Sequence, residues 1–467
     1  MATDLLIANG NLIDGTGTPM RSGMSVLIQG DRIAGVGPEA ELLGPITANH
    51  PAPVRFDATG CTVMPGLIDV HTHITLGEPQ SNDELFAHRP PAFSALLAGW
   101  QAQKLLLAGV TSALDIDGLH YIGPALRDAI ECGFIEGPRM RSGTHALLTA
   151  VGGTAGRMIP ESGVAGYAHV VRTKDEMVQT VRQQIKFGAD LIKVHVTGRI
   201  PGRPGELSVW TEEELRVVCD TAHDLGVPVT GHCRTARATR DSLRAGMDFL
   251  LHASFLGEGT GARTVGREDA TTLALYEETL ELLIATKTPV VPTWTFLGNL
   301  CEFGHKVGAS ATAVDLFRNE IQATALYHRR AYDAGVPFMC GSETGFSITP
   351  VGHWHAREME LFVQYLGLSP LEAITCATRN GGLAMTMAGL TGKVGTLETD
   401  RLADVLVVDG DPLLDVRILG DRSRFRGIIS RGVPVDLSRP WPERSVLSDE
   451  RVSQYSTEPL TWDMANR

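Results

Sequence analysis

The chain has 467 residues, 43% of them hydrophobic and 20% charged, a globular composition with ample length for a large core. A formal net charge of −13 argues against a broad basic footprint for nucleic acid. No apolar run reaches membrane-spanning length and no basic stretch followed by a long apolar one opens the chain, so neither a membrane span nor a secretory leader is expected.

Residues 1 to about 60 read as short strands broken by turns. Leu5-Leu6-Ile7-Ala8 precedes Asn9-Gly10, and the alternating stretch Met24 to Val36 is interrupted by Gly30-Asp31, a hairpin signal. The middle changes texture. Short apolar runs recur at 62–70, 110–114, 139–144, 190–196, 227–231, 247–251, 289–293 and 337–341. Helical patterns separate most of them: Asp175–Phe187, Thr211–Leu225, Thr235–Ala245, Leu273–Thr286 and Ala313–Ala334. Strand–helix alternation predicts a parallel sheet, and eight such runs predict a (β/α)8 barrel with insertions. An open doubly wound sheet is the alternative, against which the missing nucleotide fingerprint after the first run counts. Two long loops are expected, at 75–92 and 146–168, the second carrying the Gly-rich stretch Val151 to Gly156 as a lid, a surface loop or a phosphate cradle.

Past the middle, Leu402 to Val408 and Arg424 to Val435 return to the strand-and-turn texture of the beginning. The expected plan is a small β-sandwich from 1–60 and 392–440, a barrel over 61–391 and a C-terminal arm over 441–467. The cysteines (Cys61, Cys132, Cys219, Cys233, Cys301, Cys340 and Cys376) are odd in number and form no CxxC pair. That pattern suits buried thiols in a reducing, cytoplasmic compartment.

Chemistry concentrates at the ends of the predicted strands. The first closes on Asp69-Val70-His71-Thr72-His73, where strand alternation points both imidazoles the same way. Lys193 and His195 lie in Ile192-Lys193-Val194-His195, His232 closes the fifth run, His252 the sixth and Glu343 the eighth. Any one of them alone reads more readily as a satisfied core residue. Together they sit where parallel barrels build active sites, and imidazole suits zinc, cobalt, iron and nickel.

With these residues, the chain resembles the amidohydrolase superfamily, in its imidazolonepropionase-like branch. The resemblance rests on Met64–His73, Ala108–Ser112, the Gly-Ala-Asp-x-Ile-Lys stretch at 188–193, His232 to His252, Ala334–Pro337, Pro370–Ile374 and Gly395–Asp404. It implies a barrel with a small β domain and a divalent transition-metal cofactor of one or two ions, zinc first, with cobalt, iron or manganese as alternatives. His71, His73, Lys193, His232 and His252 match its metal-ligand positions, Lys193 being carboxylated if the site is binuclear. Three departures stand out: Glu343 replaces the usual Asp, Leu251 precedes the sixth-strand His where Glu is common, and Thr399-Asp400-Arg401 replaces Pro-Gly-Lys.

A metal lowers the pKa of a bound water to about 7, and a nearby carboxylate can shuttle its proton. Glu343 is the candidate shuttle and a candidate ligand. His120, Tyr121, His195, Arg234 and Trp294 are candidates for contacting substrate. Arg234 would either bind a substrate carboxylate or pair with a Glu of the protein. The leading expectation is metal-dependent hydrolysis of a non-peptide C–N bond in a small amide, carbamate, thiocarbamate or phenylurea. The alternatives are a metallodipeptidase or N-acyl amino acid hydrolase, and a catalytically silent assembly protein. The expected partner is a small-molecule substrate, with the β-rich ends available for self-association.

Overall fold

The computed structural model describes residues 4–43, 52–79, 85, 89–153, 166–200, 203, 205–443 and 460–465. Its first strands are β1 (Leu5–Leu12), β2 (Arg21–Gln29), β3 (Arg32–Gly37), β4 (Val54–Asp57) and β5 (Cys61–Pro65). The middle supplies β6 (Leu67–Thr72), β7 (Val110–Asp115), β8 (Arg139–Ser142), β9 (Ala146–Leu148), β10 (Ala168–Val170) and β11 (Ile192–His195). It continues with β12 (Thr197–Arg199), β13 (Glu206–Ser208), β14 (Val229–His232), β15 (Phe249–Leu251) and β16 (Val290–Val291). Last come β17 (Val405–Asp409), β18 (Phe425–Ser430) and β19 (Val433–Pro434).

Both ends of the chain build one β-rich domain. Its eight-stranded sheet runs β19-β18-β17-β5-β1-β2-β3, with β4 also beside β1. Period-two patterning divides its faces: Leu5 and Ile7 join one apolar cluster, Leu6 and Ala8 another. Gly30-Asp31 turns β2 into β3, with Gln29 opposite Arg32.

The apolar run at 62–70 is not one strand, as its continuity suggests. It divides at Gly66, whose N–H donates to Asp404 O at 3.0 Å while the next N–H, of Leu67, donates to Gly109 O at 3.0 Å. The chain thus changes sheets between adjacent residues. Gly66 presses so closely on Thr111 that any Cβ would overlap it.

The barrel is parallel. β6-β7-β8 form one run and β10-β9-β11-β14-β15-β16 another. The third barrel position is bent: β8 pairs with β7, whereas β9 reaches β11 through Val194 opposite Leu147. The eighth, expected as a strand over 337–341, has no continuous ladder. It nevertheless closes the ring through Met339 N–H to Val290 O (2.9 Å), Val70 N–H to Cys340 O (3.0 Å) and His73 N–H to Thr344 O (2.8 Å). The helices fall close to their expected positions, at Lys174–Lys186, Glu212–His223, Ala236–Ala245, Ala270–Thr286 and Ala311–Asp333. Capping boxes of Thr173 with Glu176 and Thr211 with Glu214 start the first two of these.

The expected loop at 146–168 is ordered into β9 and β10 at its two ends; its stretch 154–165, with half of the Gly-rich segment, lies outside the described residues, as do 80–84 and 86–88 of the other loop. Most of the expected C-terminal arm lies outside them too. Of the part described, Leu460 is buried, donates from N–H to Ser347 O at 2.9 Å and accepts from Trp354 Nε1 at 2.8 Å. Among the described residues, no helix is long and apolar enough to cross a membrane.

Candidate active site

Parallel strands share one carboxyl-terminal mouth, and the candidate residues lie there because of register. His195 stands opposite His232 and Lys193 opposite Thr230 in the β11–β14 pair. His232 stands opposite Leu251, so His252 follows one step beyond. Backbone strain marks the adjoining strand ends: His252 (φ 65°), Thr293 (φ 58°) and Glu343 (φ 53°) all leave in the left-handed region. Such conformations are costly for non-glycine residues and persist only where the surroundings enforce them. Here His252 N–H donates to Val291 O and Glu343 N–H to His71 O, each at 2.7 Å.

One ring nitrogen each of His71 and His73 and one carboxylate oxygen of Glu343 lie within 4.8 Å of one another. Thr293 Oγ1 lies 3.0 Å from His71 Nδ1, while the buried His71 Nε2 has no hydrogen-bond partner among the described residues. Glu343 Oε2 is likewise buried without one, although Arg234 Nη2 is 3.9 Å away. His232 Nδ1 and His252 Nε2 face each other at 2.8 Å, and Glu343 Oε1 is 3.9 Å from the latter. Two nitrogens on one tetrahedral ion, each at about 2.0–2.1 Å, would be roughly 3.3 Å apart. The pair is thus close to the separation a shared cation demands. Asp117 clamps two rings, with Oδ1 2.6 Å from His73 Nδ1 and Oδ2 2.9 Å from His195 Nε2. Glu206 does the same for His232, its Oε2 3.1 Å from Nε2 and also accepting from Thr197 Oγ1 at 2.6 Å.

Burial sets the protonation states. It pushes His71 and His252 well below the ordinary imidazole value, helped by the charges of Lys193 and Arg234 respectively. It takes His232 down to about 3 against the pull of Glu206. Burial would lower His73 too, but the Asp117 carboxylate outweighs it and leaves His73 raised. Burial also raises Glu343 against the opposing charge of Arg234, and lowers Lys193 despite Asp117 and Glu343. Neutral imidazoles with unpartnered nitrogens beside a carboxylate are what a borderline cation requires. The donor set therefore fits a divalent transition metal.

The remaining sequence candidates divide. His195 shares the site through Asp117. The Arg234 side chain is mostly buried and pairs within the protein: Nη1 is 3.0 Å from Glu320 Oε1 and Nε is 4.0 Å from Glu206 Oε1. The Trp294 indole packs against the rings of His328, Phe362 and Tyr365, in the barrel wall. Tyr121 belongs to a separate group, its hydroxyl 2.5 Å from His169 Nε2 and its ring beside His145 and Phe187. His120 precedes it on the same turn, its N–H bound to Gly166 O at 2.8 Å. Neither makes contact with the His71–Glu343 cluster among the described residues. Sequence reasoning passed over Asp117, Glu206, Thr293 and Glu320. Only Asp117 carried a signal: Asp115-Ile116-Asp117 closes a strand with the same alternate spacing as His71-Thr72-His73.

A barrel with this histidine and carboxylate mouth defines a hydrolase of the amidohydrolase class. The chain belongs to the amidohydrolase family, whose model matches residues 62–435. The ochratoxinase of Aspergillus niger is 29% identical over 443 residues, covering 88% of this chain and 82% of its own. The crystal structure of A. niger ochratoxinase has a TM-score of 0.78 at 23% identity, covering 96% of this chain and 98% of its own. A Xaa-Pro dipeptidase with methionine bound in its active site has a TM-score of 0.72 at 26% identity and covers 93% of this chain and 100% of its own. Molinate hydrolase has a TM-score of 0.73 at 22% identity, covering 96% and 99%. The family and these relatives make the chain a hydrolytic enzyme.

Proposed function

We propose that the protein hydrolyses a neutral, non-peptide C–N bond of the amide, carbamate, thiocarbamate or phenylurea type, using a divalent metal ion. The observation that carries this is the cluster of His71, His73 and Glu343, one donor atom of each within 4.8 Å of the others, with His71 Nε2 and Glu343 Oε2 buried and without a hydrogen-bond partner among the described residues. His71, His73, His232, His252 and Glu343 would hold the metal. Lys193, with 1% of its surface exposed, would join them only as a carbamate, since an ammonium has no lone pair to give. Bound there, the ion would supply an acidified water and a polarised carbonyl. Glu343 takes the proton of the attacking water and returns it to the leaving nitrogen. Arg234 sits opposite, held by Glu320, and orients that carboxylate from 3.9 Å.

Charge argues for a neutral substrate. Arg234 already faces Glu206, Glu320 and Glu343, so an incoming carboxylate would have to displace an existing ion pair. A dipeptide or N-acyl amino acid is the second reading, supported by the likeness to the Xaa-Pro dipeptidase at 26% identity. The test is a panel of carbamates, thiocarbamates, phenylureas, anilides, N-acyl amino acids and dipeptides, assayed on chelated and on zinc- or cobalt-reconstituted protein. Turnover of a neutral member that vanishes on chelation and returns with metal is expected. Glu343→Gln should lower it by about 10²–10⁴-fold. Full activity of metal-free protein would refute the metal; turnover of the acidic substrates alone would establish the second reading. No turnover of any panel member after reconstitution would leave a silent scaffold.

A further inference from the structure

We propose that the seam between the barrel's amino-terminal end and the β domain is a binding site for a small molecule bearing an oxyanion, a carboxylate or a phosphate. A cleft of about 740 Å³ opens there. It lies away from the catalytic mouth: Arg139 and Arg141 stand at the start of β8, and Gly188 to Asp190 lead into β11. Arg32 and Arg431 come from the β domain, so the cleft spans both parts of the fold.

Five arginines line it: Arg32, Arg127, Arg139, Arg141 and Arg431. Four have carboxylate partners. Arg127 pairs with Asp190 at 2.6 Å, Arg139 with Asp404 at 2.7 Å, Arg431 with Glu131 at 2.8 Å, and Arg32 reaches Asp31 at 4.0 Å. Among the described residues Arg141 donates to carbonyls, Met140 O at 2.9 Å and Gly389 O at 3.4 Å, and to no carboxylate. Asp190 and Glu131 feel its charge. Their oxygens, however, are engaged elsewhere: Asp190 by Arg127 and Ser142 N–H, and Glu131 by both terminal nitrogens of Arg431. Guanidinium does not lose its proton in proteins, so Arg141 carries a full charge and forms no ion pair among the described residues.

The second observation is independent of charge. Three guanidinium nitrogens of this lining, Arg139 Nη2, Arg141 Nε and Arg431 Nε, are buried and have no hydrogen-bond partner among the described residues. Arg139 and Arg141 alternate on β8 and so present to the same side. Three unpartnered guanidinium donors on one lining, one of them on an arginine outside any ion pair, match an oxyanion, whose lone pairs accept several charge-assisted bonds at once, most favourably along the Nε–Nη edge of an arginine.

Isothermal titration of the metal-loaded enzyme with sulfate, inorganic phosphate and succinate in a chloride buffer tests this. We expect a saturable one-to-one isotherm for at least one of them, with tetrahedral anions and the dicarboxylate separated by which one binds. Arg141→Gln should weaken that binding at least about tenfold, and Arg141→Lys should weaken it less, while anion-free hydrolysis stays unchanged in both. Absence of saturable binding by all three, or binding of undiminished affinity in Arg141→Gln, overturns the proposal; the latter also exposes an anion held at the catalytic mouth. Should Arg141→Gln not fold, wild-type affinity in Arg141→Lys overturns it instead.

Discussion

Asp117→Asn should damage the metal centre without touching a ligand. The carboxylate is buried, with Oδ1 2.6 Å from His73 Nδ1 and Oδ2 accepting from His195 Nε2 at 2.9 Å, while the His73 Nδ1–H donates to the main-chain carbonyl of Asp117 at 3.2 Å. With its proton on Nδ1, His73 keeps the Nε2 lone pair for a cation. Asparagine offers one accepting oxygen and one donating NH2, so it can satisfy only one of the two rings as they stand. If the NH2 faces His73, it crowds the Nδ1–H that the main-chain carbonyl of Asp117 accepts, and the ring either turns away or moves its proton to Nε2 and loses the lone pair. If it faces His195, that ring must move its proton to Nδ1, which is buried and has no partner among the described residues. Either way a negative charge that opposes Lys193 and favours a bound cation is gone. Losing such a supporting group typically costs about 10–100-fold in metal affinity, roughly 1.4–2.7 kcal/mol. Two rings depend on this one, which places the expectation near the upper end. Metal content after equilibration against buffered zinc, read alongside kcat/KM at saturating and limiting zinc, measures it. Wild-type affinity and turnover in Asp117→Asn would refute the orienting role.

Two further outcomes rest on single residues. Burial holds His328 down to about 4, with Nε2 3.0 Å from Ala253 O. An imidazole depressed below its unfolded value of about 6.5 contributes stability that is present above that pH and lost as pH falls through about 4, up to about 3 kcal/mol in total. Urea unfolding between pH 7 and 4 should therefore be flatter in His328→Asn than in the wild type, and equal slopes would count against the assignment. Gly345 has φ 125°, and a Cβ there would overlap the carbonyl of His73. Gly345→Ala should lower stability by about 1–3 kcal/mol and reduce metal occupancy together, and an unchanged melting temperature with normal metal content would contradict that coupling.

What could be read in the chain follows from how far each interaction reaches. Strand alternation is local, so His71 with His73 and Lys193 with His195 could be put on common faces from spacing alone. Parallel register then carries the inference across strands, which is how His195 comes to stand opposite His232. The division at Gly66 was hidden because β5 and β6 are both apolar and nothing in their composition says that they join different sheets. Aromatic residues near a strand end were equally ambiguous: Trp294 follows the seventh strand as a pocket residue would, yet the wall beneath has His328, Phe362 and Tyr365 to receive it.

The groups that orient the ligands were the least legible, and the reason is physical. A metal ligand must sit at a strand tip, a position periodicity can find. Its hydrogen-bond partner need only arrive within about 3 Å from any direction. Asp117 reaches His195 across 78 positions of sequence, and Glu206 reaches His232 from β13, whose partner β12 lies in a separate two-stranded sheet. No local pattern encodes such meetings. They depend on the barrel being closed, so that a change in the sheet's register would move the supporting carboxylates before it moved the histidines out of the mouth. The ligand positions are therefore fixed by each strand separately, whereas the protonation states that make them ligands are a property of the assembled ring.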